Sequence, residues 1–398
     1  MHLTWIVPKW PIPADDGAKQ ASTQLLQHLA ALGQSIHLIA IVPDGLKIDE
    51  SLALRELGIQ LVTVVRRRPG GNTAAHIRNL LSKPFVPLTV APYATASVAR
   101  GVRAALSAWP ESIVVYDGLH GAGWQLAAGD EVKVKSIYRA HNVECNIWTR
   151  AAEETSNVAR KLFLRYEAAL MARFEKRVAE TAAIVFPVSE VDAMSFRKLA
   201  PAAYVQPLPI GISVDRVSLS PPVTRDLLFI GRLDWAPNRD GLRWFLDKVW
   251  PQVTRRSMGA TLTIAGSGDG AWLDEYKGVE RLRVLGHVES VTPYYQRCIL
   301  AIVPLFYGSG TRVKVIEASL HGRACLSTSL GVEGIGLTHS ENYYQAETVE
   351  QWVDVICSLE VAAALERGEL AHRFVSEQFN PKRIARKFIS AAQAAGIA

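Results

Sequence analysis

The chain has 398 residues, more than one core ordinarily holds, so two domains are the default reading. Apolar residues make up 49% and charged residues 21%, which excludes a disordered or collagen-like chain. The net charge of +6 suits contact with anionic substrates, surfaces or nucleic acid, but is also common in proteins that touch none of these.

Taken in order, the first half alternates strands and helices. His2–Val7 reads as a strand and not a signal peptide, because it lacks a basic start and is stopped by Pro8 and Pro11. The spacing of Ala21, Leu25, Leu29 and Leu32 predicts a helix over 18–32, ended by Gly33. Strands are expected over 36–42, 60–65, 113–116 and 134–138, with a helix near 96–108. Such a βαβα pattern implies an α/β fold with a parallel sheet, whose ligands sit at the carboxyl ends of the strands. Three loops there carry polar groups: Asp15–Gly17, Asp117–Gly123 with His120, and Arg139–Glu144 with His141 and Asn142. Each histidine alone reads as structural. Two at neighbouring strand ends raise the case for a site.

Residues 150–200 read as mostly helical, with Leu164, Leu170, Phe174 and Val178 on an apolar face and Ser189 as a helix cap. Pro207, Pro209 and Gly211 mark an inter-domain linker. The pattern then restarts. Strands are expected over 226–230, 261–265, 284–286, 299–305 and 324–327, with helices over 239–249, 311–321 and about 381–394.

The stretch over 299–336 carries the strongest chemistry. An apolar strand leads through Gly308-Ser309-Gly310 into a helix from Thr311, whose first N–H groups and dipole favour phosphate. Lys314 adds a charge one turn in. Glu317, one turn further, suits the paired hydroxyls of a ribose. Phosphate at one end and a diol acceptor at the other suggest a nucleotide. The four cysteines form no CxxC or metal spacing and read as buried thiols of a reducing, cytoplasmic compartment. No Asp-x-Asp pair occurs, so no metal and no cofactor is expected.

Phe229-Ile230-Gly231-Arg232-Leu233, Ile264–Gly268, Leu285–Val288 and Gly308–Arg312 through Glu317-Ala318 resemble, in order and spacing, family 4 of the retaining glycosyltransferases. The resemblance extends over the first half through Asp16-Gly17, Asp117–His120, His141-Asn142 and Pro209–Gly211. It implies the GT-B fold, two Rossmann-like domains facing across a cleft. Residues 1–205 would bind the acceptor and 206–379 the nucleotide-sugar donor, with a last helix over about 380–398 crossing back. It further implies transfer of a hexosyl or related group to a hydroxyl of a glycan or lipid-linked acceptor, with retention and without a metal. Asp234–Asn238 looks like a subgroup linked to envelope and exopolysaccharide glycans.

Carried over by residue, Arg232, Gly308, Ser309, Gly310, Thr311 and Arg312 would hold the donor pyrophosphate, and Glu317 the ribose. His287 and Val288 would lie beside the base, and Gly17 would let a loop close on the phosphates. His141 would line the acceptor side with Asp16, Asp117, His120 and Asn142. Arg232, Lys314 and the helix end would offset charge on the leaving phosphate, with domain closure excluding water. Two departures stand out. Ser309 replaces a glutamate common in the family, and Asn238-Arg239 stand where many members carry a lysine, a charge that Lys314 or Arg312 could replace.

Three other readings stay open: a GT-B nucleotide-sugar epimerase, a non-catalytic nucleotide-sugar binding subunit, and a glycosyltransferase acting on nucleic acid. A nucleic-acid binder as such is disfavoured, since no basic array with interleaved aromatics appears. Arg66–Arg68 and 74–83 form a basic stretch suited to a peripheral contact at the inner face of a membrane, or to a solvated loop. Trp124, Trp148 and Trp235 could stack on sugars, although core packing is the commoner role of tryptophan.

Overall fold

The computed structural model describes residues 1–14, 17–68, 84–128, 134–214, 225–257, 259–308 and 311–397. It divides into two units: Met1–Gly211 with Pro381–Ala398, and Ile212–Gly308 with Arg312–Asn380.

The first unit runs β1 (His2–Val7), α1 (Gly17–Ala31), β2 (Ser35–Pro43), α2 (Glu50–Leu57), β3 (Leu61–Arg67), α3 (Ala96–Ser107), β4 (Ile113–Asp117), β5 (Ser136–Ala140), α4 (Glu144–Glu154), α5 (Val158–Thr181), β6 (Ile184–Pro187) and α6 (Glu190–Leu199). Among the described residues its sheet has six parallel strands in the order β3-β2-β1-β4-β5-β6. The strands are apolar on both faces because both are covered. Leu3, Trp5 and Val7 point into one core, and Ile6 into the other. The first core also holds Ile384 and Phe388 of the C-terminal helix Pro381–Ala394, so that helix packs with the first unit. The Phe388 ring lies 5.7 Å from Trp5 and 5.2 Å from Phe186.

The second unit runs β7 (Asp226–Ile230), α7 (Ala236–Trp244), β8 (Thr261–Ala265), β9 (Leu282–Gly286), β10 (Cys298–Val303), α8 (Val313–Leu320), β11 (Cys325–Ser327) and β12 (Tyr344–Gln345), followed by helices Val349–Ser358 and Val361–Gln378. Its order, β12-β11-β10-β7-β8-β9, repeats the winding of the first sheet. Each sheet therefore has one point where the order reverses, between β1 and β4 and between β7 and β10. The crevice beyond the carboxyl ends at such a point is where doubly wound sheets take ligands.

Four local readings change. β5 extends to Ala140, so Arg139 lies in a strand and not in a loop. The predicted linker is not a free connection. Gln206 N–H donates to Val185 and Leu208 N–H to Pro187, which lays 205–208 along β6. Pro207 and Pro209 alternate with the bonded residues, so their missing donors face away from the sheet. The helix over 239–249 starts earlier, at Ala236, and passes into a π turn over Phe245–Val249 just ahead of Pro251, which has no N–H to continue the ladder. α8 begins at Val313, two residues late, because Arg312 is non-helical and turned inward.

Candidate functional site

In the first unit the chemistry gathers where β4 and β5 end. Asp117 and Arg139 are register partners on neighbouring strands, and both are buried. Arg139 Nη1 donates to Asp117 Oδ1 at 2.6 Å, His141 Nε2 meets the same oxygen at 2.6 Å, and Trp5 Nε1 donates to Oδ2 at 2.9 Å. Burial alone would raise the Asp117 carboxyl. The charges of Arg139 and His141, with their hydrogen bonds, outweigh it and hold the group ionised far below the usual carboxylate range. An ionised carboxylate accepts only, so Nε2 of His141 carries the proton in this contact. Asp117 is 2% exposed. It is therefore not presented to solvent, and it holds the half-buried His141.

The other residues expected on the acceptor side are more scattered. The half-buried His120 ring packs 5.7 Å from Tyr93, and its pKa is lowered chiefly by burial. Asn142 is half-buried beside His141, and Gly17 opens α1. Asp16 lies outside the described residues. Trp124 is fully buried in the core, which removes it as a sugar platform, and Trp148 packs on the same core.

A buried acid that sequence reasoning missed supports this corner. Glu175 on α5 is fully buried. Its carboxylate accepts the N–H groups of Glu144 (3.0 Å) and Cys145 (3.1 Å) and the Tyr138 hydroxyl (3.1 Å). Val143 offers α4 no side-chain cap, so Glu175 fills that role across the core and fixes the chain just after His141. Burial pushes the Glu175 carboxyl up to about 7 from 4.5. The native state then keeps a proton that the unfolded chain releases, so stability should fall as pH rises from about 4.5 through about 7, by at most ~1.4 kcal/mol per unit. Urea unfolding across that range should show the decline in wild type and a flatter profile in Glu175→Gln. Parallel profiles would contradict the assignment.

In the second unit the reversal point holds the Gly231-Arg232 turn after β7 and the Phe306–Gly308 turn after β10. The turns are built for close approach. A Cβ on Gly266 would stand 1.7 Å from the Gly231 carbonyl, and Gly308, at φ +122°, packs against Trp235 and Pro237. Arg312, expected at the pyrophosphate, is instead 4% exposed and donates to the Gly308 carbonyl at 3.2 Å. It braces the turn from within.

Lys314 and Asn238 meet here. Lys314 Nζ donates to Asn238 Oδ1 at 2.6 Å, and Asn238 Nδ2 donates to the Arg232 carbonyl at 2.7 Å. The ammonium also lies 4.4 Å from the centre of the Phe229 ring. A Cβ on Gly231 would meet Nζ at 2.9 Å, so the cation stands at the Gly-Arg turn itself. Among the described residues no carboxylate pairs with it. Burial first, and then the charge of Arg312, pull the Lys314 pKa down to about 7. A cation held in place without an anion is ready to take one. Arg232 is half-exposed and bound through two nitrogens to Asp234, at 3.0 and 2.6 Å.

Glu317 is half-buried one turn along α8 from Lys314. His321, the next member of that stripe, is buried and stacked 4.7 Å from Tyr295, and burial together with Arg323 lowers its pKa to about 4. His287 is exposed and Val288 half-buried after Gly286, and Thr311 is half-buried. Ser309 and Gly310 lie outside the described residues. Beside Asp234 a polar pocket opens between Arg239, Asp240, Arg243, Asp269 and Trp272.

Residues 224–360 match the family model described as glycosyl transferases group 1. An uncharacterized 44.6 kDa protein in the cps region of Klebsiella pneumoniae is 28% identical over 170 residues, 40% of this chain. The match spans 44% of that relative. Sucrose-phosphate synthase of Thermosynechococcus elongatus superposes with a TM-score of 0.71 at 15% identity, covering 99% of this chain and 98% of that one. Anabaena HepE with UDP and glucose gives 0.68 at 12%, covering 98% and 99%. A S. aureus TarM mutant in complex with UDP and alpha-GlcNAc-glycerol gives 0.68 at 11%, again over 98% and 99%. With two like-wound Rossmann sheets and this match over the second, the chain is an α/β protein of the GT-B fold whose second unit is similar to the group 1 glycosyl transferases.

Proposed function

We propose that the protein is a glycosyltransferase that moves a sugar from a nucleoside diphosphate to an acceptor hydroxyl, with retention at the anomeric carbon. The observation that carries this is the Lys314 ammonium, held by Asn238 at the Gly231-Arg232 turn with no carboxylate on it among the described residues. The glycosyl transferase match over 224–360 supports it. The UDP complexes of HepE and TarM favour UDP as the carrier. The cps-region relative favours an exopolysaccharide or envelope glycan as the product.

In the reaction the bond from the anomeric carbon to the phosphate oxygen breaks, and a bond to the acceptor oxygen forms. The acceptor proton passes to the departing phosphate. Lys314, with Arg232 once it leaves Asp234, offsets the charge that grows there, so no metal ion is required. Glu317 takes the ribose hydroxyls, and His287 and Val288 flank the base. His141, set by Asp117, serves the acceptor side. The test is incubation with UDP-sugars and glycan or lipid-linked acceptors, followed by mass spectrometry. Free UDP together with a glycosylated product is expected. An isomerised donor without product would favour an epimerase, and an untouched donor a binding subunit.

A further inference from the structure

Three exposed apolar or aromatic side chains of the first unit lie at one end of one helix. On α5, Val158, Leu162 and Tyr166 recur every four residues, so they share a face. Val158 is 72% and Leu162 62% exposed, while Leu164 and Met171 of the same helix are buried in the unit. Phe85, 80% exposed, follows Pro84, which is tied to Tyr166. The Tyr166 hydroxyl donates to the Pro84 carbonyl, and the Leu88 N–H donates to Glu167 at 2.8 Å, which pins 84–88 along this part of α5.

The charges on the helix are one-sided. From Val158 to Phe174 the only acid is Glu167, which is buried, against Arg160, Lys161, Arg165 and Arg173. Lys161, Arg165 and Arg173 fall on or next to the apolar face, and none is ion-paired among the described residues. This patch is separate from the basic stretch noted in the sequence. There Arg66 holds the carbonyls of Pro43 and Leu46, and Arg67 lies over Tyr93, so both arginines serve the fold. Residues 74–83 lie outside the described residues.

Aliphatic and aromatic side chains held in water among uncompensated cations fit one surface chemistry. Anionic headgroups would meet the cations while the apolar tips enter the interface. We infer that this end of α5, with Phe85, docks the protein on an anionic lipid bilayer. The helix lies on the surface, since its other face belongs to the core and no helix among the described residues is long and apolar enough to cross a membrane.

The experiment is co-sedimentation of the full chain with vesicles of phosphatidylcholine alone, and of phosphatidylcholine with phosphatidylglycerol. Wild type should pellet with the anionic vesicles, less so as salt rises, and stay in solution with the neutral ones. Val158→Asp/Leu162→Asp should lose binding, and Lys161→Gln/Arg165→Gln/Arg173→Gln should weaken it on the order of a hundredfold, or roughly fivefold per cation. Both sets sit on the surface, so their unfolding temperatures should match wild type. Wild type remaining in solution with both vesicle types would overturn the inference, as would equal binding by all three proteins. A concentration-dependent dimer that the aspartate variant breaks would also overturn it, by giving the face to a second copy.

Discussion

Asp117→Asn should destabilise the first unit by ~3–5 kcal/mol, the range for removing one partner of a buried ion pair. The substitution keeps the shape and the contact to Trp5 but removes the carboxylate charge that faces Arg139 at 2.6 Å. Arg139 is 1% exposed and cannot swing into water. A double variant, Asp117→Leu/Arg139→Met, should recover much of the loss, because two matched apolar side chains strand no charge. Urea unfolding of the three proteins checks this. A single variant within ~1 kcal/mol of wild type would mean that water or another group compensates Arg139. The same substitution should also lower turnover beyond its effect on folding, because His141 would lose the carboxylate that fixes its ring.

The second large effect is on chemistry. Lys314→Met should reduce turnover roughly a hundredfold, ~3 kcal/mol, the usual cost of losing one group that stabilises charge in the transition state. The variant should fold at least as well as wild type. A lysine whose pKa is lowered in the native state costs stability while charged. The unfolded chain binds the extra proton between about pH 7 and 10.5, so wild-type stability rises with pH through that window. Methionine removes the cost, and with it the cation. Nucleotide binding by wild type should weaken above about pH 7 as the ammonium is lost, and this step should be missing in Lys314→Met. Wild-type turnover in the variant would sink the assignment of Lys314.

Much of the fold was legible because its signals are local. The strands His2–Val7, Asp226–Ile230 and Thr261–Ala265 and the helix Pro381–Ala394 follow from apolar runs and periodicity alone. Boundaries slipped where a tertiary contact overrides the local pattern. Arg139 reads as a loop residue, yet its charge is neutralised inside the sheet by Asp117, so the strand can carry it to Ala140. Arg312 reads as a ligand cation at a helix start, yet it turns inward to the Gly308 carbonyl and delays the helix.

The site was legible as a set of strand ends but not as a set of contacts. An aspartate ending one strand and an arginine near the end of the next, each followed by a histidine, is a signal that register would have joined into the Asp117–Arg139–His141 network. Asn238 and Lys314 are 76 residues apart in sequence, and only the fold brings them together. Glu175 gave no signal, because an acid on an otherwise charged helix looks solvated until packing shows it capping α4.

The measurement that bears most directly on the account is nucleotide binding by titration calorimetry, with UDP, GDP, ADP and TDP against wild type, Lys314→Met and Glu317→Ala. Binding of UDP in preference to the others, weakened in both variants, is the expected result. It would place the diphosphate at the Gly231–Lys314 corner and the ribose at Glu317. No binding of any nucleotide by a folded wild-type protein, or equal affinity in all three proteins, would contradict a donor site in the second unit.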